Sequence, residues 1–295
     1  MDYEITLLTT MSISILFALA LNFVTGFCGQ ISLGHAAFLG TGAYTSAMMT
    51  KASYPFLLTL PFAALTSGFL GFLIGLCSLR VRHDFLAITT MGVVFLFVGV
   101  VRQQDFLGGE VGISGIPSPG FSRFGFLLFC LALAFLFALF SLRTKKSWMG
   151  KVFESISDDE DVTKSLGIHV SHYKLFAFVI GTSAAGVAGA LYAHHLRFIG
   201  PDSFGFVESV SVLAMVIIGG VGSVWAVSAT AAFLSVLPMV FQFVDDYKLL
   251  LYSALLFFMM RFSPEGLKGL IDIIKRKREN NLNQEKKNDQ KATRN

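Results

Sequence analysis

Residues 150–168, GKVFESISDDEDVTKSLGI, form a charged island between long apolar runs, and that contrast decides the fold. On either side, unbroken apolar segments follow one another through a chain of 295 residues that is 54% hydrophobic and 14% charged, with a mean hydropathy of +0.67. Soluble domains carry about 25% charged residues. A transmembrane barrel would alternate apolar and polar positions in segments of about ten, and these runs do not alternate. The chain therefore reads as an all-α, polytopic helical membrane protein, with the island as a short structured segment on one side of the membrane.

About 20 helical residues, rising about 1.5 Å each, cross the hydrocarbon core. Apolar segments at 5–25, 35–50, 56–79, 85–101, 122–142, 173–196, 207–221, 224–243 and 247–262 give about nine helices, some short or discontinuous. An odd number of spans puts the termini on opposite sides. With the C-terminus in the cytoplasm, the inner segments are 26–34, 80–84, 143–172, 222–223 and the tail. These and their edges hold 18 Lys and Arg, against 5 outside, as the positive-inside rule requires. The start lacks a basic n-region and an A-x-A site, so the first run is expected to remain as a helix, its N-terminus outside. The chain divides into a transmembrane domain over 1–268, with the loop 143–172, and a basic tail over 269–295 that is expected to be disordered. Cys28, Cys77 and Cys130 lie far apart, without disulfide or metal spacing, and read as small packing residues.

The spans 35–50 and 207–221 are short, and each adjoins a glycine-rich segment. The first segment holds Gly29, Gln30, Ser32, Gly34 and His35; the second holds Gly219, Gly220 and Gly222. Such pairs point to discontinuous helices around a translocation path, with plain interhelical turns as the alternative. Burying Gln30, Ser32 and His35 in lipid-depth structure is costly without a purpose. In the segment 173–196, Gly181, Ala185 and Gly189, with Gly186 and Ala190, form small-residue faces for close helix contact.

Within the island, Ser157-Asp158-Asp159-Glu160 reads as a capping box. Acidic residues follow in the first turn, Lys164 lies four residues after Glu160, and Gly167 stands where a positive φ ends a helix. The spacing predicts a helix over 158–166. Nine residues are marginal alone, so the helix needs a surface, and a soluble partner can supply one side; a solvated acidic loop is the alternative. Glu154, Ser157, Asp158, Asp159, Glu160, Lys164 and Gly167 are the candidate docking residues. The sequence contains no G-x-x-x-x-G-K-[ST], H-E-x-x-H, G-x-S-x-G or C-x-x-C. His194 and His195 are adjacent and diverge by about 100° on a helix. No catalytic residue, metal ligand or cofactor site of the chain's own is read, and the chain is not expected to be an enzyme.

Residues 22–38, NFVTGFCGQISLGHAAF, continue into Gly40-Thr41-Gly42-Ala43-Tyr44. Further along come His83-Asp84-Phe85-Leu86-Ala87-Ile88-Thr89-Thr90, the glycines 108, 109, 112 and 115, Ala185 to Tyr192, Ile218 to Ser223, and Ser263-Pro264-Glu265-Gly266-Leu267. In this order they resemble the LivM-type permeases of branched-chain amino acid ABC importers, over roughly 21–269. In that family the island lies in the cytoplasmic loop that couples permease to ATPase, with a pattern close to A-I-R-E-D-E-x-A-A-x-x-L-G-I. Here Ser157 replaces the Arg, and Val162-Thr163 replace the two Ala. The resemblance implies a permease subunit of the bacterial inner membrane. It also implies a second related permease subunit, two cytoplasmic ATP-binding subunits that hold the ATP and Mg, and an extracytoplasmic solute-binding protein. Leu, Ile and Val are the expected solutes; urea and short-chain amide permeases share the signatures. A gradient-driven transporter would need intramembrane ionisable groups, and His35, Glu208 and Asp84 all lie near span ends.

Overall fold

The computed structural model describes residues 2–78, 83–240, 247–262, 266 and 269. Arg80, Arg82, the Ser263–Glu265 motif, the boundary at 268 and the basic tail beyond 269 lie outside the described residues. Each of the nine expected apolar segments coincides with a helix: α1 (Asp2–Cys28), α2 (His35–Lys51), α3 (Phe56–Ser78), α4 (His83–Gln103), α5 (Arg123–Lys146), α8 (Val170–Leu196), α9 (Phe206–Gly219), α10 (Val224–Val240) and α11 (Lys248–Phe262). Among the described residues, six helices are long and apolar enough to span a membrane. The island forms two further helices, α6 (Trp148–Asp158) and α7 (Glu160–Ser165).

The bundle is assembled around α8. Gly181 faces Ala20 and Val24 of α1, Gly186 faces Ala63 and Ser67 of α3, and Gly189 faces Leu39 and Ala43 of α2. Any side chain there would collide with a neighbouring backbone or side chain, so the small residues set the interhelical distance. In contrast, α3, α4 and α5 expose large apolar side chains, including Leu65, Phe69, Leu96, Leu128 and Phe135. That arrangement suits contact with lipid and would be costly in water.

At the end of the bundle away from α6 and α7, a two-residue antiparallel ribbon pairs Ile113 (β1, Ile113–Ser114) with Ile199 (β2, Phe198–Ile199). The 3₁₀ turn Pro201–Phe204 follows, where Asp202 meets Arg102 of α4 at 2.6 Å. Phe204 is buried among the rings of Tyr44, Phe97 and Tyr192. This cap fixes the start of α9 relative to α2, α4 and α8.

Candidate functional site

The non-helical run 29–34 interrupts what would otherwise be a hairpin of α1 and α2. Gly29 adopts φ +68°, and a Cβ there would stand 2.9 Å from Ser157 Oγ of α6. Gln30 N donates to Val24 O (3.3 Å), and Gln30 O accepts from Thr25 Oγ1 (2.9 Å). Leu33 N donates to Thr90 Oγ1 of α4 (3.0 Å), while Gly34 lies against the Thr90 backbone. Ala36 N donates to Ser209 Oγ of α9 (3.1 Å), and the His35 ring stacks on Phe17 at 5.6 Å.

These partners fix the depth at which α2 begins. Phe17 precedes the end of α1 by eleven residues, Thr90 follows the start of α4 by seven, and Ser209 precedes the end of α9 by ten. At about 1.5 Å per residue, these put His35 roughly 10–16 Å from the bundle end that carries α6 and α7. That is near the middle of an about 30 Å hydrocarbon core. The break therefore climbs to mid-depth before α2 starts. It is the interrupted-helix arrangement that the spacing predicts, with Gln30, Ser32 and Gly34 buried and Ile31 exposed. His35 is fully buried and neither ring nitrogen has a hydrogen-bond partner; Gln30 Oε1 is likewise unpartnered.

The second glycine segment docks onto the first. Gly222 (φ +77°) donates its N–H to Asn22 Oδ1 of α1 at 2.9 Å, and its carbonyl accepts from Lys145 Nζ at 2.6 Å. A Cβ on Gly26 would lie 2.6 Å from Gly222 N. Gly219 lies against Val227, and Gly220 (φ +103°) against Gly266. Segments 26–34, 143–172 and 222–223 thus share one end of the bundle, as the charge count requires. Gly219, Gly220 and Gly222 act there as close-contact turn residues. Asn22, Thr90 and Lys145 hold both breaks. Sequence reasoning did not assign them this role, although a polar residue inside an apolar run is itself a signal that it has a partner.

The island departs from the expected helix over 158–166. Ser157 is not the cap: it lies inside α6, which runs to Asp158 because Val152, Phe153 and Ile156 bury one face against the bundle. Asp159 takes extended backbone (φ −155°, ψ 112°), and its Oδ1 accepts from Asp161 N (2.9 Å) and Val162 N (3.0 Å), capping α7. Freed from capping, Glu160 pairs with Lys164 Nζ at 3.1 Å and with Lys174 Nζ of α8 at 2.5 Å. The hydrogen bond to Glu160 pushes the Lys164 pKa up. Thr163 Oγ1 bonds Ser155 and Asp159, closing α7 onto α6, and Gly167 ends the turn with φ +81°. Glu154, Ser157, Asp158, Asp159, Lys164 and Gly167 are exposed. Beside them Trp148, Val162 and Leu166 expose 65%, 56% and 70% of their surface. Trp148 also meets Tyr173 edge-on; exposed apolar side chains among charged ones are what a protein-docking surface needs.

Away from this end, a cavity of about 330 Å³ lies between α1, α8, α9, α10 and α11, with Phe17, His195, Glu208, Met215 and Tyr252 among its walls. A second, also about 330 Å³, is lined by Thr6, Arg123, His194, His195 and Arg197. Thr10 Oγ1 and His195 Nε2, 3.0 Å apart, stand between them. None of the eight path residues chosen from sequence lines either cavity. The lining of the first is spread over six helices, α2 contributing Leu39, and the turn at Ser203, and no local motif marks it. Among the described residues no cluster of His, Cys, Asp or Glu has metal-binding geometry.

A sequence model of the family described as "branched-chain amino acid transport system / permease component" matches residues 4–260. The high-affinity branched-chain amino acid transport system permease protein LivM of Salmonella typhimurium is 34% identical, over 90% of this chain and 69% of that protein. BraD of Pseudomonas aeruginosa, a permease protein of the same kind of system, is 26% identical over 91% of this chain and 95% of its own length. LivH of Salmonella typhimurium is 24% identical over 88% and 92%. No solved structure matches the chain.

Proposed function

This chain belongs to the family of branched-chain amino acid transport permease components, and we propose that it forms one membrane half of an ATP-driven importer for Leu, Ile and Val. It is a multi-pass membrane permease. Its paired half is a second, related permease, since relatives resembling it at different distances carry the names LivM and LivH. ATP and Mg are held by two cytoplasmic subunits, and an extracytoplasmic protein delivers the solute. The end bearing α6 and α7 faces the cytoplasm, the side to which the Lys and Arg excess assigns it, and the N-terminus faces outward.

The observation that carries this reading is the α6–α7 surface. Its inner face buries Val152, Phe153 and Ile156 against the bundle, Ser157 at its edge approaches Gly29, and Lys145, just before α6, holds Gly222. Its outer face presents Val162 and Leu166 to a partner. ATP-driven closure of the partner subunits against this face can shift the breaks only if contacts differ between the two states. The candidate path residues Gly29, Gln30, Ser32, Gly34 and His35 lie where that shift would arrive.

Val162→Asp combined with Leu166→Asp places two charges in the apolar centre. We expect retention of the ATP-binding subunits on detergent-solubilised permease to fall at least tenfold, with membrane insertion unchanged, as for hot-spot residues. Reversing Asp159 and Glu160 to Lys should reduce ATP-driven leucine uptake as well. Undiminished association in both variants rejects the docking surface. Uptake by this chain alone, abolished by an ionophore and indifferent to ATP, rejects the importer.

A further inference from the structure

His35 carries a cost that its surroundings do not offset. It is fully buried, and neither ring nitrogen has a hydrogen-bond partner. A neutral imidazole holds one N–H donor and one lone-pair acceptor, so both are stranded, and a stranded buried group is destabilising. Packing does not call for it. The ring meets Phe17 (stacked, 5.6 Å) and Phe38 (edge-on, 5.9 Å), and a phenylalanine at position 35 would meet both without stranding a polar atom.

The place of the ring supplies a reason. Leu39 is one turn further along α2, at i+4, and so on the same face of the helix as His35. Leu39 lines the first cavity of about 330 Å³, and so does Phe17, whereas His35 does not. On α1 the lining residues are Thr10, Ile13, Ser14 and Phe17, and among the described residues nothing later in α1 joins them. Phe17 therefore ends the cavity on the side toward α6 and α7, and the same ring lies on the imidazole. On that side follow the polar residues of the break, including Gln30, whose Oε1 is also buried and unpartnered. One apolar side chain thus separates a chamber of small-metabolite size from the stranded polar groups of the interrupted helix.

We propose that Phe17 is the inner gate of this cavity, and that His35, uncovered when the Phe17 ring turns aside, is the polar contact for a carboxylate-bearing solute passing beyond it. The proposal rests on the importer reading and adds to it a gate and a contact chemistry. The imidazole N–H donates to the solute carboxylate, a charge-assisted bond that the closed state leaves unmade. Turning one side chain exposes the contact, and the ring keeps the break dry until then.

The test uses the complete transporter, with both permeases, the ATP-binding subunits and the binding protein, in liposomes. Leucine imported and ATP hydrolysed are measured together. For His35→Phe we expect import per ATP to fall at least tenfold, with hydrolysis within about twofold of wild type and a melting temperature no lower, because the ring packing stays and the stranded nitrogens go. His35→Gln, which keeps a donor and an acceptor, should recover part of the import. Wild-type import in His35→Phe overturns the contact, and so does a fall in import matched by lower hydrolysis or a lower melting temperature, which would mark a structural role. The gate is read from the thiol of His35→Cys, treated with a small methanethiosulfonate and located by peptide mass, since Cys28, Cys77 and Cys130 are also present. Modification should be slow at rest, at least tenfold faster during ATP turnover, and equally fast at rest when Phe17→Ala is added. A rate that neither turnover nor Phe17→Ala changes overturns the gate. If one of these variants does not assemble, the other measurement decides. The importer reading fails on a different result, a wild-type complex whose leucine uptake does not depend on ATP.

Discussion

Lys174→Met is expected to reduce ATP-driven uptake at least tenfold while leaving the protein in the membrane. Lys174 is in the first turns of α8, with its side chain 8% exposed, and its Nζ lies 2.5 Å from Glu160 Oε2, itself 17% exposed. Breaking one side of a fully buried pair costs about 3–5 kcal/mol. Here Lys164 remains beside Glu160 at 3.1 Å and the carboxylate keeps some solvent, so about 1–3 kcal/mol is the better expectation. That is a small part of the stability of a bundle this size but a large part of what holds α7. Six residues cannot sustain a helix alone. Besides the Glu160–Lys174 pair, its described anchors are the cap at Asp159 and the bonds of Thr163. The effect should therefore be local, read as faster hydrogen exchange over 159–167 with the α8 amides unchanged. Glu160→Gln with Lys174→Met removes both charges and should recover much of the loss, since a neutral pair strands neither partner. Equal uptake in wild type and Lys174→Met would mean that α7 is not part of the drive.

The apolar segments were legible because lipid leaves the sequence little choice: every span must be apolar and helical, and all nine segments are helices. The short spans at 35–50 and 207–221 were legible for the same reason, since a helix too short for the core must start or stop inside it. The island was legible in part. Lys164 and Gly167 stand where local rules put them. The cap was misplaced because two local rules competed. Ser157 is an acceptable N-cap, but the apolar spacing of Val152, Phe153 and Ile156 carries α6 past it, and burial of that face outweighs a capping preference of about 1 kcal/mol. Glu160 then turns to Lys174, fourteen residues away, a tertiary partner that no local pattern reveals.

The glycine segments teach a related lesson. In the sequence, Gly220 and Gly222 point either to a discontinuous helix at a translocation path, because a short span adjoins them, or to a plain interhelical turn. The structure uses them for contact: both take positive φ and both meet another backbone at close range. Sequence gives the requirement for a missing Cβ, and only the fold says whether solute or protein occupies the space. Conversely, Glu208, Phe17 and Met215 come together from separate helices, so the cavity has no signature of its own along the chain.

Gly26→Leu should have the largest effect of any single substitution at the inner end, and the reason is geometric. A Cβ at position 26 would stand 2.6 Å from Gly222 N, and it also meets the Asn22 side chain. No rotamer moves a Cβ; the nearest atom is Asn22 Oδ1 and the next is the backbone nitrogen of Gly222, so even if Asn22 swings away, either α1 or the turn at 220–223 must shift. Ordinary overpacking costs about 1–3 kcal/mol. Here the shift would also break the bond from Gly222 N to Asn22 Oδ1 and loosen the one from Lys145 Nζ to Gly222 O. Each buried group left without a partner adds about 1–3 kcal/mol. A loss on the order of 4 kcal/mol corresponds to a melting point lower by roughly 8–12 °C. Asn22→Leu separates the two contributions: it removes the acceptor without adding bulk at position 26, and should lower the melting point by about a third as much. Because α1 ends two residues after Gly26 and the break to mid-depth follows, both variants should also disturb uptake before they unfold the bundle. Thermal unfolding of the purified protein, followed with leucine uptake at 25 °C, checks both. A Gly26→Leu protein as stable as wild type would show that α1 and the 220–223 turn do not meet as described, and with it the link between the two breaks would fall.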